Sequence, residues 1–386
     1  MAEDKTEDSR APRSDDLKRY IEYLQKQIMV EGTGDFFEGQ TAEEWVSDTS
    51  NRTERFSNSK YFNGPAVSQY ISDIAERFIA KTRFETPMTA ALFGNTLAEV
   101  RSASETMFKP VRQIELLTAT SSTCSPSAFP TNDIHLLFIG AGTASYCNYW
   151  AKAYTAVLHA ISVASPHPIK SIEDMASVFD HNDSGLLLAG KLAIHYAFFN
   201  TALGFGRIDQ SDDYLPTRNA LLNSIETFVI AHEFAHFIAH EHFPQFSGSL
   251  STDESKALES CCDEIGLSIS RLAGMRSGNP YNFDGMGALA FYYSVKLCED
   301  TRTLLKDLGM IPKELHGRPV RESSHPETAE RILLIANALV DMSDPEDKVR
   351  IKSLVDEAAV IFGTVSFLVL AMLADGALQR DAEPHQ

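Results

Sequence analysis

The run His232-Glu233-Phe234-Ala235-His236 has residue types and a spacing that suit metal chemistry. On an α-helix, residues i and i+4 lie on one face, so His232 and His236 can bind a single metal ion. Glu233 then lies close to the open side of that ion, where its carboxylate can take a proton from a bound water molecule. This HExxH pattern is typical of zinc hydrolases, most often peptidases.

A second helix is predicted to supply the third ligand. Ser251 and Glu254 form a capping-box pattern, which predicts that a helix starts here and covers residues 252–273. Glu259 and Asp263 are one turn apart on that helix and share a face. We expect Glu259 to bind the metal and Asp263 to accept the spare N–H of a ligand histidine, as carboxylates behind metal sites commonly do.

The first of these two helices is predicted to be buried. The HExxH run lies in an apolar stretch over residues 221–243, and a helix that is apolar nearly all round belongs in a core. Unpaired polar groups in a core cost free energy, so a metal ion would satisfy the buried histidines. Gly266 follows Glu259 and Asp263 along the same face, which predicts a close approach of the two helices.

Two alternatives remain open from the residues alone. His242 stands where the HExxHxxGxxH pattern places its last histidine, but Ala239 replaces the glycine that lets the chain turn towards the metal. The histidines could also be hydrogen-bonded core side chains without a metal, with Glu259 and Asp263 on a solvated face.

Three segments taken together resemble a known family. HEFAH is followed by E-S-C-C-D over residues 259–263 and by S-H-P-E-T-A-E-R-I over residues 324–332. In this order they resemble the gluzincin peptidases related to HtpX and the CAAX prenyl endopeptidase. The resemblance implies a zincin-like core, a bound zinc ion, a protein or peptide substrate, and His325 as the side chain that stabilises the oxyanion. Members of that group often carry transmembrane helices, which this chain does not show plainly, so we expect a soluble variant.

The amino-acid composition limits which binding partners and which cellular compartment we expect. The chain has 386 residues, 44% of them hydrophobic and 23% charged, which is ordinary for a soluble globular protein. Its 34 Lys and Arg against 53 Asp and Glu give a formal net charge of -19, which argues against nucleic acid as a partner and against docking on anionic lipid by charge. Its 5 cysteines form no CxxC spacing, so we expect a reducing, cytoplasmic setting.

The pattern along the chain predicts a mainly α fold with at most a small sheet. We expect an acidic disordered tail over residues 1–16, a helical region over 17–130 and a zincin-like metallopeptidase domain over 131–386. A short strand is predicted at 134–139, followed by Gly140 and Gly142, which we interpret as tight packing. The apolar run 358–374 favours a buried core helix, with a membrane anchor as the alternative. The oligomeric state is not predicted.

Overall fold

The structure is a computed structural model that describes residues 14–31, 41–53, 64–124, 126–164, 169–171, 173–175, 184–206, 208, 210–311 and 325–374. Helices dominate these residues, as the sequence predicts, and a single small sheet accompanies them. The helices are α1 (Ser14–Glu31), α2 (Ala42–Thr53), α3 (Gly64–Arg77), α4 (Pro87–Ser104), α5 (Ala141–Ala164), α6 (Ser184–Phe199), α7 (Leu215–His242), α8 (Thr252–Ser277), α9 (Pro280–Phe283), α10 (Met286–Asp307), α11 (Thr328–Asp341) and α12 (Lys348–Ala374).

The sheet has the strand order β1-β3-β2, with β1 at Ile114–Thr118, β2 at Ser127–Phe129 and β3 at His135–Ile139. The outer strand β1 runs parallel to the central β3, whereas β2 runs antiparallel to it. The predicted strand at 134–139 is therefore confirmed. The sequence did not predict β1 or β2, since β2 is short and lies in a stretch rich in Ser, Thr and Pro.

Both faces of the central strand are covered by helices, which explains why β3 is buried throughout and apolar after His135. Successive side chains of a strand point to opposite faces. Leu136 and Phe138 accordingly pack against α1, while Leu137 and Ile139 pack against a cluster that includes Phe234 on α7. The sheet thus lies between α1 and α7, and this fixes where α7 runs.

Helix α7 is the central helix of the structure. Most of its second half is buried, including Phe228, Phe234 and Phe237, as the apolar pattern predicts. Ala239 continues the helix to His242, because alanine favours helix where glycine would have allowed a turn.

The following helix, α8, begins and ends at the predicted signals. Ser251 and Glu254 form the reciprocal capping box, and Gly278 adopts the left-handed conformation (φ 71°) at the C-terminal end. A Cβ atom added to Gly266 would lie 2.9 Å from the backbone N and Cα of His232. The close approach predicted at Gly266 is therefore confirmed, and it brings α8 against the HExxH turn of α7.

The glycines after β3 also act in close packing. A Cβ atom on Gly140 would lie 2.2 Å from the carbonyl oxygen of Ala119, and one on Gly142 would lie 2.2 Å from that of Thr123. The interpretation of these glycines as packing residues is confirmed. They hold the start of α5 against the segment that joins β1 to β2.

The proposed division of the chain remains a prediction. Residues 1–13 lie outside the described residues, and residues 14–16 belong to α1. The predicted boundary at residue 130 falls between β2 and β3, which pair in the same sheet.

The apolar run at 358–374 belongs to α12. Within the described residues, α12 is long and apolar enough to cross a membrane, by length and composition alone. One face of it, with Phe362, Val365 and Val369, packs in the cluster that also contains buried residues of α5, α6 and α10. Phe367 and Leu370 on the other face are exposed.

Candidate metal centre

The predicted ligands from α7 and α8 lie together. One ligand atom from each of His232, His236 and Glu259 lies within 4.8 Å of the other two. Nε2 of His232 is 3.3 Å from Oε2 of Glu259, and Nε2 of His236 is 3.6 Å from Oε1 of the same residue. This group can therefore bind a metal ion.

The donor atoms fit a small divalent cation. A tetrahedral zinc ion with bonds of about 2.0–2.1 Å holds its ligand atoms roughly 3.4 Å apart. The two separations between a histidine nitrogen and a Glu259 oxygen, 3.3 and 3.6 Å, are close to this value. Oε2 of Glu259 is a buried oxygen that forms no hydrogen bond of good geometry, although Nε2 of His232 and Nη2 of Arg331 lie 3.3 and 3.4 Å from it. A buried carboxylate oxygen with poor hydrogen bonds is costly, so a bound cation would satisfy it better.

Asp263 lies directly behind His232. Its Oδ1 is 2.9 Å from Nδ1 of His232, although the angle at that nitrogen is not that of an ideal hydrogen bond. Asp263 is fully buried and also accepts a hydrogen bond from the hydroxyl of Tyr292. The structure thus places Asp263 where the sequence predicts it, in contact with the ring nitrogen that faces away from Glu259.

Arg331 on α11 is a residue whose role the sequence did not reveal. Its guanidinium group donates two hydrogen bonds to Asp263, from Nε to Oδ2 and from Nη2 to Oδ1, each of 2.7 Å. Nη2 also lies 3.4 Å from Oε2 of Glu259, and the guanidinium stacks 4.6 Å from the ring centre of Tyr292. Arg331 lies in the segment that carries the family resemblance, but Asp263 is 68 residues away in sequence, so only the fold reveals this pair.

Glu233 is buried beside the ligands, and β2 supplies its partner. The amide N–H of Ala128 hydrogen-bonds the Glu233 carboxylate. Burial raises the pKa of Glu233 to about 7, because desolvation disfavours the charged form. A carboxyl group with a pKa near neutrality can both accept and return a proton.

The other titratable groups of the centre also have shifted pKa values, because several charged side chains are buried close together. Burial, with the neighbouring His232, lowers the pKa of His236 to about 4, so this imidazole is neutral and can bind a metal. Burial also opposes charge on His232, but Asp263 and Glu259 outweigh it and raise its pKa to about 10. Although burial favours their neutral forms, contact with His232 keeps the pKa values of Glu259 and Asp263 at about 2. One ionised carboxylate, that of Glu259, therefore belongs to the ligand group, and a second, that of Asp263, lies behind His232.

His325 lies at the edge of the centre. Its Nε2 is 3.4 Å from Oε1 of Glu259, and about half of its side chain is exposed. It does not belong to the group of mutually close ligand atoms. The structure thus brings His325 to the centre, while its role stays a prediction.

His242, the alternative third ligand, and the nearby His240, Tyr292 and Tyr293 make other contacts. Nε2 of His242 lies 3.0 Å from the carbonyl oxygen of Lys109, and the ring of His240 lies 6.1 Å from that of His135. The hydroxyl of Tyr292 is bonded to Asp263, and Tyr293 stacks on Phe362. None of these side chains belongs to the ligand group.

Comparison with models of known protein families, with curated proteins and with solved structures gives no significant match for this chain. The resemblance to gluzincin peptidases therefore rests on the three sequence segments alone.

Proposed function

We propose that the chain is a zinc-dependent endopeptidase. The observation that carries the proposal is the convergence of His232, His236 and Glu259 within 4.8 Å, with Glu233 buried next to them. Three protein ligands leave a fourth position for water, which is the arrangement of catalytic zinc sites. When bound, the zinc ion lowers the pKa of that water and polarises a carbonyl group.

Glu233 acts as the general base in this scheme. Its carboxylate takes a proton from the attacking water and then delivers it to the amine that leaves. The hydrogen bond from the Ala128 amide orients the carboxylate, and its buried position keeps bulk water from competing for it.

His325 is proposed to stabilise the oxyanion. Its ring is close to Glu259 yet half exposed, so a substrate can reach it. A donor aimed at the developing oxyanion contributes more in the transition state than in the ground state, which is the condition for catalysis.

The small sheet supports a peptide as the substrate. Among the described residues, β2 pairs with β3 on one side and with no strand on the other side. The amide of its Ala128 hydrogen-bonds Glu233. An extended peptide can bind such an edge by main-chain hydrogen bonds. A peptide bound there would pass directly by the proposed base, so we propose that substrates bind in extended form. We also propose a cytoplasmic location, in keeping with the composition.

A non-catalytic protein with a structural zinc site is the second candidate. The observation that favours it is the 3.4 Å separation of His325 Nε2 and Glu259 Oε1, which is a plausible spacing for two ligands of one ion. In that case His325→Ala should weaken zinc binding. In the peptidase scheme this variant keeps its zinc and loses turnover.

Cleavage of an unfolded protein, such as reduced and alkylated casein, tests the proposal. Zinc-loaded wild-type protein should cleave it. Glu233→Gln should keep its zinc and lose activity by about 10²-fold or more, because the general base is gone. Glu264→Gln, at an exposed position of α8, is the matched control and should cleave like wild type. Full activity of Glu233→Gln would contradict the mechanism, and absence of cleavage by the zinc-loaded wild type would favour the structural site.

A further inference from the structure

A cavity of about 480 Å³ lies apart from the metal centre, between α3, the segment 78–86, α4 and the outer strand β1. None of the residues that line it belongs to the ligand group of His232, His236 and Glu259. Sites that bind small molecules commonly have volumes of about 300–1,000 Å³. The cavity is therefore large enough for a small ligand that the chemistry described above does not use.

A buried carboxylate, that of Glu85, borders this cavity. Glu85 is only 7% exposed. Its Oε1 accepts a hydrogen bond of 2.7 Å from Nε2 of Gln25, and its Oε2 accepts one of 3.1 Å from the amide of Thr118. The hydroxyl of Thr82 adds a longer contact of 3.5 Å to Oε1. These bonds fix the carboxylate in place, and they leave acceptor capacity on its oxygens.

Glu85 has no ion-pair partner within 4 Å among the described residues. Lys81, which also borders the cavity, is exposed and is paired with Glu115 instead. Burial raises the pKa of Glu85 above its ordinary value, although hydrogen bonds from Thr118 and Gln25 oppose this shift. A cation that reaches Glu85 from the cavity would stabilise its charged form.

The side of the cavity formed by α3 suits the same cation. Tyr70 and Asp73 line the cavity from this helix, and Phe78 lines it just after the helix ends. The hydroxyl of Tyr70 donates a hydrogen bond to the carbonyl oxygen of Ala91, which holds the ring against α4. An ammonium group is attracted both by carboxylates and by the faces of aromatic rings. These side chains therefore favour a ligand with an ammonium group.

Other residues of the lining favour an anionic group and an apolar group on the same ligand. Arg77 at the end of α3 is exposed, and a guanidinium group can bind a carboxylate through two parallel hydrogen bonds. Ile79 is 82% exposed beside it, and Ile74 and Leu116 add apolar wall. A ligand that carries both charges and an apolar side chain matches this lining.

We infer that this cavity binds a small zwitterion with an apolar side chain, which is either a free amino acid such as leucine or a short peptide of such residues. Its ammonium group binds Glu85 and Asp73, and its carboxylate binds Arg77. Its side chain covers Ile79 and Leu116. The site is separate from the metal centre, so the inference goes beyond the proposed peptidase function and does not depend on it.

Isothermal titration of the full chain with four probes tests the ligand chemistry. L-Leucine and leucyl-leucine carry both charges, whereas N-acetyl-leucine lacks the ammonium group and leucinamide lacks the carboxylate. We expect at least one of the two zwitterions to bind with one molecule per chain. Each blocked probe should bind at least about tenfold more weakly than leucine, because it loses a charged contact. The tighter of the two zwitterions identifies the source of the ligand as a free amino acid or a peptide.

Variants that fill the cavity test whether it is the binding site. Ala90 is an exposed residue of α4 that borders the cavity, so Ala90→Trp should block it and abolish binding of the zwitterion. Ala98→Trp is the matched control, at an exposed position of the same helix that does not border the cavity. It should bind the zwitterion like wild type.

Two further variants test the two charged contacts separately. Glu85→Gln should weaken the binding of leucine at least about tenfold and should abolish the preference for leucine over N-acetyl-leucine. Arg77→Gln, at an exposed position, should weaken the binding of leucine and leave that of leucinamide unchanged. Circular dichroism shows whether each variant is folded. If Glu85→Gln does not fold, Arg77→Gln and Ala90→Trp still test the site.

The inference is overturned if neither zwitterion binds at millimolar concentration. Wild-type affinity in Ala90→Trp would overturn it as well, because the ligand would then bind elsewhere. Equal affinities for leucine and N-acetyl-leucine would show that the cavity does not recognise an ammonium group. None of these measurements depends on cleavage or on zinc, so their failure and the failure of the proposed function are distinguishable.

Discussion

Asp263 joins three neighbouring side chains of the metal centre. It contacts His232, accepts the Tyr292 hydroxyl and forms a two-point ion pair with Arg331. A carboxylate behind a ligand histidine fixes the ring and makes it a stronger ligand. The ion pair with Arg331 also ties α11 to α8. At this scale a single carboxylate therefore couples metal affinity to the packing of two helices.

Asp263→Asn should weaken zinc binding about 10- to 100-fold, because the amide holds the imidazole less strongly. It should also lower the free energy of unfolding by about 3 kcal/mol, since Arg331 loses a buried partner. Zinc affinity is measured by competition with a chromogenic chelator, and stability by urea unfolding.

The matched control for that variant is Asp284→Asn. Asp284 forms a similar two-point pair with Arg350, at 2.7 and 2.9 Å, away from the ligand group. Asp284→Asn should leave the zinc affinity unchanged. Wild-type zinc affinity in Asp263→Asn would show that the carboxylate behind His232 does not support the metal.

At the scale of elements, the contact of α7 with α8 decides whether the ligands can meet. Gly266 lies against the backbone of His232, and no other residue type fits there without displacement. The C-terminal end of α7 is fixed separately. Glu241 accepts hydrogen bonds from the amide of Arg112 and contacts His135 Nε2 at 2.7 Å, so it anchors this end to the segment before β1 and to β3.

Gly266→Ala should lower the free energy of unfolding by about 1–3 kcal/mol, because the added methyl group forces α8 away from α7. The same displacement should lower zinc affinity. Gly363→Ala is the control, since Gly363 lies in α12 with open space around its Cα. The free energy of unfolding of this control variant should rise by about 0.5–1 kcal/mol, because alanine favours helix more than glycine does. Equal effects of the two substitutions in urea unfolding would contradict the assigned contact.

The anchor at Glu241 predicts a dependence of stability on pH. Partial burial opposes the shift, but the Arg112 amide and His135 hold the pKa of Glu241 below its usual value. Its contribution to stability is therefore complete above the pKa of an unfolded glutamate, about 4.3, and is lost as pH falls below that value. The difference in unfolding free energy between wild type and Glu241→Gln should be on the order of 1 kcal/mol at pH 6 and should shrink by pH 3. A difference that grows towards low pH would contradict this.

The elements that the sequence predicts are those indicated by patterns of neighbouring residues. The HExxH spacing, the capping box at Ser251 and the glycine at 266 each depend on residues within a few turns, and the structure confirms the helices they predict. Arg331 and the amide of Ala128 were not foreseen as partners of the centre. Their contacts join distant segments of the chain. In addition, a backbone amide forms the same hydrogen bond whatever side chain the residue carries, so the sequence does not reveal it.

At the scale of the whole molecule, helices from both halves of the chain surround one central helix. Buried residues of α5, α6, α7, α10 and α12 share one hydrophobic cluster, while α7 also packs with α4 and α8 in a second. The buried face of α12 contributes to the first cluster, and its exposed face is apolar at Phe367 and Leu370. The exposed face of α12 therefore decides between a core helix and a membrane anchor.

We predict that the protein stays in the soluble fraction of a cell lysate, because one face of α12 packs in the core. Replacing Phe367 and Leu370 together by Gln should change the unfolding free energy by about 0.5 kcal/mol or less per site, as expected for exposed positions. Fractionation by ultracentrifugation and a carbonate wash measures the location. Retention in the washed membrane pellet, with release by the double substitution, would contradict the prediction.

The metal content of the purified protein shows whether His232, His236 and Glu259 bind zinc. We predict one zinc ion bound per chain in wild-type protein purified without chelator, measured by inductively coupled plasma mass spectrometry. We expect His236→Ala to lose that ion, at unchanged secondary structure by circular dichroism. Wild-type protein that binds no zinc even after incubation with the metal, or a His236→Ala variant that binds it equally well, would show that these residues do not form a zinc site.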